Sequence, residues 1–367
     1  MSRSTQVSRA EAIGGELLVY SDESISGVNR PLVAALGTSG LLDAVFTPDG
    51  VTATDLCSLR QGLARTNTEA ETALAIQGLG GIPIHLAGTD AARERFVPGI
   101  KSGDMIAAFA LTEPSAGSDA AALESIAESD GEGFRITGHK AYISNAPEAD
   151  VYTVFAKTDP EAASRGVTAF VVPGESDGLD GQPIELLSPH PIGRLEFDGV
   201  FVPREHVLGE VSGGFRVAME TLDLFRPSVG AFALGMAEAA LRTAVAHARE
   251  RYAFGKSIGE FQGISHQLAD VRLAIAASEH LVYAAAAAYD SGERDGLTGL
   301  SAMAKLHATE TAQKAVDVAI QVLGARGLEA DSTLAHLYLE VRAPRIYEGT
   351  SEIQRNIIAR ELYRGRL

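Results

Sequence analysis

Cysteine is nearly absent: Cys57 stands alone in 367 residues, so no intramolecular disulfide can form and a reducing compartment is expected. No apolar run approaches the roughly 20 residues that span a bilayer. The first dozen residues are polar and carry no hydrophobic signal core. Positive charge is in deficit, with 31 Lys and Arg against 48 Asp and Glu and a net charge of −17. That balance disfavours nucleic acid and anionic membranes as partners. Nucleotide and metal signatures are missing too. No Gly-x-Gly-x-x-Gly follows a strand pattern, and no P-loop occurs. The nine histidines show no His-Glu-x-x-His or comparable spacing, which argues against a metal centre. "EPSAGSD" contains serines but is not the Gly-x-Ser-x-Gly turn of hydrolases. Internal repeats and low-complexity linkers are lacking as well. These absences point to a cytoplasmic protein with neither a nucleic-acid partner nor membrane insertion.

What is present is ordinary in bulk, 46% hydrophobic and 22% charged, and falls into three textures. Residues 1–108 are Ala- and Leu-rich and read as an N-terminal helical domain. In "TEAETALAIQGLGG", Ala70, Ala73, Leu74 and Gln77 recur at helical spacing. "AARERFVPGIKSGD" reads as a short helix stopped by Pro98 and Gly99. Residues 109–207 carry short β-branched and aromatic runs, "GFRITGHKAYISN", "DVYTVFAKTD", "GVTAFVVPG" and "RLEFDGVFVP", which predict antiparallel strands in a small sheet or barrel. Residues 208–367 are helical. Phe215, Met219, Leu222, Phe225, Val229, Phe232 and Met236 form one stripe that Pro227 should bend. Gly230 and Gly235 permit close helix contact. Ile264, Leu268, Val271 and Ile275 form a second stripe, and Ala312, Val316, Ala319 and Leu323 a third. With the final segment they predict a four-helix bundle. The fold class is α+β.

Two stretches carry chemistry. "RIYEGTSEIQR", Arg345 to Arg355, places Glu348 just outside a new helix. Ser351 reads as its N-cap, and Gln354 completes a capping-box pattern. Taken alone, Glu348 reads as a solvated surface acid. "AFALTEPSAGSDAAAL", Ala108 to Leu123, reads as an apolar strand followed by a polar turn. The hydroxyls of Thr112, Ser115 and Ser118 and exposed amides there suit a polar ring edge or a pyrophosphate, although most such turns only connect elements.

Together with "GHKAYISNAPEADVYTVFAKTD", "LDLFRP", "RYAFGKSIGEFQ", "QVLGARGL" and "IYEGTSEIQR", in this order along nearly the whole chain, that loop resembles the acyl-CoA dehydrogenases. The resemblance implies a helical N-terminal domain, a middle β-barrel and a C-terminal four-helix bundle, with FAD between barrel and bundle. It implies flavin contacts from Phe109, Leu111, Thr112, Gly117 and Ser118, with Ser118 also touching substrate. Tyr142, Ile143 and Ser144 stand where the family usually has Trp-Ile-Thr. Tyr142 would cover a flavin face and Ser144 would hydrogen-bond near N5, while Tyr142 also fits a plain strand aromatic. Arg251, Phe254 and Gln262, with Gln321 and Gly324, would bind the adenosine half of a neighbouring subunit's FAD. A homotetramer follows, with a dimer as the minimum unit. Thr350 and Glu352 would sit at the N-terminus of the last helix, whose free amides suit phosphate or polar flavin groups. Asp223 and Arg226, with Gly349, would meet the substrate; at i, i+3 the first two also fit a surface pair.

The reaction implied is removal of two hydrogens across Cα–Cβ of an acyl thioester carried by CoA or acyl carrier protein. Glu348 would take the α-proton while the β-hydrogen leaves as hydride to flavin N5. The Glu348 backbone N–H and a ribityl hydroxyl would polarise the carbonyl, and the base needs partial desolvation. Some relatives carry the base at the position of Phe225, so Glu348 has no competitor here. A retained carboxylate favours a dehydrogenase that passes electrons to an electron-transfer flavoprotein. A flavin oxidase using O₂ and a non-catalytic flavin- or acyl-binding protein are the alternatives. The chain departs from the family pattern in four places. Ala253 replaces a threonine beside the pyrophosphate, and Ala325 replaces a glycine. "SPHPIGRLEF" is shorter than the usual barrel loop and lacks its substrate serine, and the N-terminal domain is slightly short.

Overall fold

The computed structural model describes residues 2–21, 27–293 and 295–367. Among them six helices come first: α1 (Arg3–Glu16), α2 (Arg30–Thr38), α3 (Leu41–Val45), α4 (Ala53–Ala64), α5 (Thr68–Ala87) and α6 (Asp90–Ser102). The side chains of Asn29, Thr52 and Thr89 accept first-turn N–H groups of α2, α4 and α6, which fixes where those helices begin. Helix α6 runs through Pro98 and Gly99, against the expected stop. Its buried stripe of Ala92, Phe96 and Ile100 carries it past the proline, and left-handed Gly103 ends it.

Strands follow: β1 (Ala107–Ala110), β2 (Ile126–Asp130), β3 (Gly133–Ser144), β4 (Val151–Lys157), β5 (Val167–Pro173), β6 (Leu179–Pro183), β7 (Ile192–Pro203) and β8 (Val207–Leu208). They form one sheet in the order β6-β7-β3-β2-β4-β5-β8, with β1 also on β4. The sheet is mixed, not antiparallel throughout, because β1 and β2 both run parallel to β4. They lie in line along one edge of it, β1 opposite Val151 to Val154 and β2 opposite Lys157. The loop 111–125 is the excursion between them. β4 and β5 are buried along nearly their whole length, in keeping with their mostly apolar runs, whereas β7 alternates.

The chain continues through α7 (Gly214–Glu250), a hairpin of β9 (Tyr252–Ala253) and β10 (Lys256–Ser257), α8 (Gln262–Asp290), α9 (Leu297–Leu323), α10 (Thr333–Glu340) and α11 (Ser351–Tyr363). Helix α7 passes Pro227 without interruption. Among the described residues α7 and α8 are long and apolar enough to cross a membrane by length and composition, although neither contains an unbroken apolar run of that length. In α7, 67% of the apolar window is buried in the protein, as in a core helix; in α8 the share is 39%.

Packing divides the chain into two units. One comprises Met1–Glu16, Thr52–Glu71 and Asp223–Leu367. In it α8 packs on α9, α9 on α11, α1 on α4 and α4 on α8. Helix α4 is buried from Leu56 to Ala64, polar residues included. Those groups need internal partners: Gln61 donates to Glu238 and accepts from the Tyr283 hydroxyl. Gly235 of α7 lets this happen, since a Cβ there would lie 2.4 Å from the Gln61 carbonyl oxygen.

The other unit comprises Leu17–Val51 and Thr72–Leu222, and contains both boundaries read from sequence, at 108 and 207. Within it Gln77 of α5 donates to the carbonyls of Ile100 and Met105 and accepts the Ala107 N–H. That side chain fastens α5 to the start of β1, and so fixes where the polar loop begins.

Candidate active site

The loop after β1 is fixed from beneath. Lys140, fully buried on β3, donates from Nζ to Glu113 Oε1 (2.7 Å), the Phe155 carbonyl (2.6 Å) and the Leu111 carbonyl (3.3 Å). Glu113 also accepts the N–H groups of Glu124 and Ser125, and the Ala141 N–H donates to the Thr112 carbonyl. Burial pushes the Lys140 ammonium down to about 8, with Glu113 pulling the other way. Burial alone would raise Glu113; Lys140 and the hydrogen bonds hold it below the usual carboxylate range. Leu111 and Thr112 are thereby held by their backbones, while Ser115, Gly117 and Ser118 face solvent. Phe109 rests on Phe155 with ring centroids 4.9 Å apart.

A bulge between Lys140 and Ile143 interrupts the pairing of β3 with β7. It turns Tyr142 out at φ 57°, 58% exposed, and Ile143 in, fully buried. Ile143 can therefore offer a ligand only its backbone. Ser144 Oγ lies 2.9 Å from His190 Nε2. Burial pushes His190 down to about 4, so its imidazole is neutral at pH 7. Neither Lys140–Glu113 nor His190 was picked out from sequence. Lys140 left a signal, since it falls in phase with the inward-facing Phe134 and Ile136.

In the other unit Glu348 occupies a left-handed backbone position, φ 50°, followed by Gly349 at φ 93°. The positive φ calls for glycine at 349, and a side chain there would also put its Cβ 2.5 Å from Gln354 Nε2 and displace that amide. Gln354, fully buried, donates to the carbonyls of Glu348 (3.1 Å) and Gly349 (3.0 Å). Lys305 of α9 donates to the Gly349 carbonyl at 2.6 Å. Glu310, also on α9, accepts from Ser351 Oγ at 2.7 Å and pairs with Arg345 at 2.9 Å. The cap of α11 is Thr350, which accepts the Ile353 N–H, and not Ser351. No capping box forms because Gln354 is committed to the turn and Ser351 to Glu310.

The Glu348 residue is only half-buried, yet its Oε2 is sealed from solvent and has no hydrogen-bond partner. Burial raises its carboxyl above the ordinary range, and the charges of Arg60, Arg226 and Lys305 oppose that rise. Arg60 is itself buried, paired with Glu71 and 2.7 Å from Ser228 Oγ. Arg226 donates to Asp223 at 2.8 Å with its side chain only 11% exposed, more than a surface pair. Phe225 beside it is fully buried. A shielded carboxylate ringed by cations and held on a rigid turn is equipped to accept a proton from a weak acid. Arg60 and Lys305 had no local signal, since each matters only through contacts distant in sequence, whereas Gln354 has a local signal that reads as a capping residue and not as a support of the turn.

Arg251, Phe254 and Gln262 lie on the β9–β10 hairpin and the start of α8, and Gln321 and Gly324 at the end of α9. Among the described residues none of these hydrogen-bonds to the groups around Glu348. All are exposed, as is Glu352 on α11, and Phe254 most of all: 95% uncovered at φ 51°.

Comparison with known proteins gives consistent matches. Residues 108–200 match the acyl-CoA dehydrogenase middle domain, and residues 212–363 the acyl-CoA dehydrogenase C-terminal domain. Cyclohexane-1-carbonyl-CoA dehydrogenase of Geobacter metallireducens is 36% identical over 350 residues, covering 93% of this chain and 91% of the relative. Butyryl-CoA dehydrogenase from Megasphaera elsdenii superposes with a TM-score of 0.91 at 31% identity, covering 98% of each chain. PigA, solved with FAD and proline, superposes with a TM-score of 0.93 at 26% identity, covering 99% of this chain and 98% of PigA.

Proposed function

The chain belongs to the acyl-CoA dehydrogenase family, and on that footing we propose that Glu348 is the base that removes the α-proton of an acyl thioester. The observation that carries this reading is the sealed, unpartnered Oε2 of Glu348 under the field of Arg60, Arg226 and Lys305. The cations favour the ionised carboxylate against the rise that burial imposes, and burial raises its affinity for the arriving proton. Its own backbone N–H, on the fixed turn, is the donor that polarises the thioester carbonyl. Asp223, Arg226 and Gly349 border the acyl group.

The residues at hand fit FAD. Phe109, Leu111, Thr112, Gly117 and Ser118 would hold the flavin with Tyr142, Ile143 and Ser144. Gly117 leaves open space, and Tyr142 exposes its ring. Arg251, Phe254, Gln262, Gln321 and Gly324 would hold the adenosine half of a second copy's FAD, which gives the uncovered Phe254 ring something to cover. Thr350 and Glu352 would add polar contacts at the start of α11. FAD, when bound, supplies the acceptor for the β-hydride. We further propose a homotetramer built from dimers, CoA or acyl carrier protein as the thioester carrier, and an electron-transfer flavoprotein as electron acceptor.

The test is anaerobic mixing of the yellow holoprotein with a series of acyl thioesters, following loss of flavin absorbance. Glu348→Gln should keep its FAD and its thioester binding, and reduce flavin about 10²–10⁴-fold more slowly. A wild-type rate in that variant would place the base elsewhere.

A further inference from the structure

We propose that Lys305 is a positioning residue that holds the Glu348–Gly349 turn in place and, through its charge, helps to lower the proton affinity of the carboxylate. This rests on the reading of Glu348 as base.

The geometry is direct. Lys305 is fully buried on α9, and its Nζ lies 2.6 Å from the carbonyl immediately following Glu348. The turn it grips has two successive left-handed residues, one of them not glycine. Such a backbone persists only where its surroundings over-determine it. Gln354 supplies two further donors to the same turn, and Glu310, five residues beyond Lys305 on α9, takes Ser351 and Arg345. One helix therefore fixes the chain just before and just after the base.

The charges separate Lys305 from its neighbours. Glu348 faces Arg60 from α4, Arg226 from α7 and, with the smallest influence of the three, Lys305 from α9. Arg60 is already paired with Glu71, and Arg226 with Asp223. The short hydrogen bond of Lys305 goes instead to a neutral carbonyl. Of the charges around Lys305, namely Glu348, Arg226, Glu310 and Glu352, the one that most favours its protonated form is Glu348. Its charge is thus available to the base. Burial pushes the ammonium down to about 8, so it is charged at neutral pH and discharges in mildly alkaline solution.

The experiment is the pH dependence of anaerobic flavin reduction for wild type, Lys305→Gln and Lys305→Met, with FAD content and thioester binding measured alongside. Lys305→Gln keeps a donor and removes the charge, so the acid limb should move to higher pH by about one unit. Lys305→Met removes both; it should show the same displacement and a plateau at least about ten-fold lower than that of Lys305→Gln. An acid limb unmoved in Lys305→Gln overturns the proposal. Should neither variant fold, Lys305→Arg decides: it keeps the charge and a donor, so its acid limb must stay at the wild-type pH, and a limb displaced upward overturns the proposal. The two readings fail separately. Wild-type flavin reduction by Glu348→Gln removes the base itself, whereas an inactive Glu348→Gln with an unmoved Lys305→Gln limb removes only the role of Lys305.

Discussion

Lys140 Nζ lies 2.7 Å from Glu113 Oε1, with the two side chains 0% and 3% exposed. The pair sits under the loop that carries Thr112 and Ser118, and the same ammonium ties down two backbone carbonyls. Lys140→Met would leave Glu113 a buried charge with only backbone N–H groups to answer it. We expect a loss of about 3–5 kcal/mol in urea unfolding, as for other broken buried pairs. FAD occupancy should fall with it. A loss below about 1 kcal/mol would show that the pair contributes little.

Glu348→Asp separates reach from basicity. Aspartate tolerates the left-handed backbone at least as well as glutamate, so folding and FAD content should be preserved. The carboxylate retreats by one methylene, and flavin reduction should slow by about 10²-fold. Stopped-flow bleaching should still find it faster than Glu348→Gln. Equal rates in the two variants would argue against proton abstraction by this side chain.

His190 gives the fold a pH dependence with a definite sign. Its folded-state value is pushed down to about 4 from an ordinary 6.5. Between those values the unfolded chain binds the extra proton, so stability falls as pH falls through that window and is unaffected above it. His190→Asn keeps a partner for Ser144 without titrating. The difference in unfolding free energy between wild type and variant should therefore change from pH 6.5 to 4 and stay constant above pH 7. Parallel curves throughout would mean the imidazole is effectively solvated.

Assembly should depend on Phe254. If its ring covers a second copy's FAD, Phe254→Ser should lower both FAD content and the mass seen by light scattering. The released cofactor should chromatograph as FAD and not FMN. A wild-type monomer with full FAD occupancy would contradict the shared arrangement.

Much of the architecture was legible because it is local. The apolar periods of α7 and α9, and the mostly apolar runs of β4 and β5, report burial directly. Errors arose where one residue had two possible employments. Ser351 and Thr350 both suit a helix start, and only the position of Glu310 on another helix decides between them. Pro98 looked like a terminator because its tertiary support is invisible in sequence. The turn bearing Glu348 was readable through its resemblance to a family motif; its supports were not. Arg60 and Ser228, which meet beside it, are 168 residues apart. Contacts of that range leave no periodic trace.

Phe225 has a bearing on how such a site could have diversified. It is fully buried on α7, at the position to which the family resemblance assigns the base of some relatives. Phe225→Glu would place a second carboxylate in a closed apolar setting while Glu348 still occupied the field of Arg226. On the proposed reading, loss of Glu348 first would leave the site without its base. If Glu348 is the base, neither order of single replacements keeps both an active site and an undisturbed core, because the first step either buries a charge at position 225 or removes the carboxylate. Moving the carboxylate to that helix would first require more space around position 225.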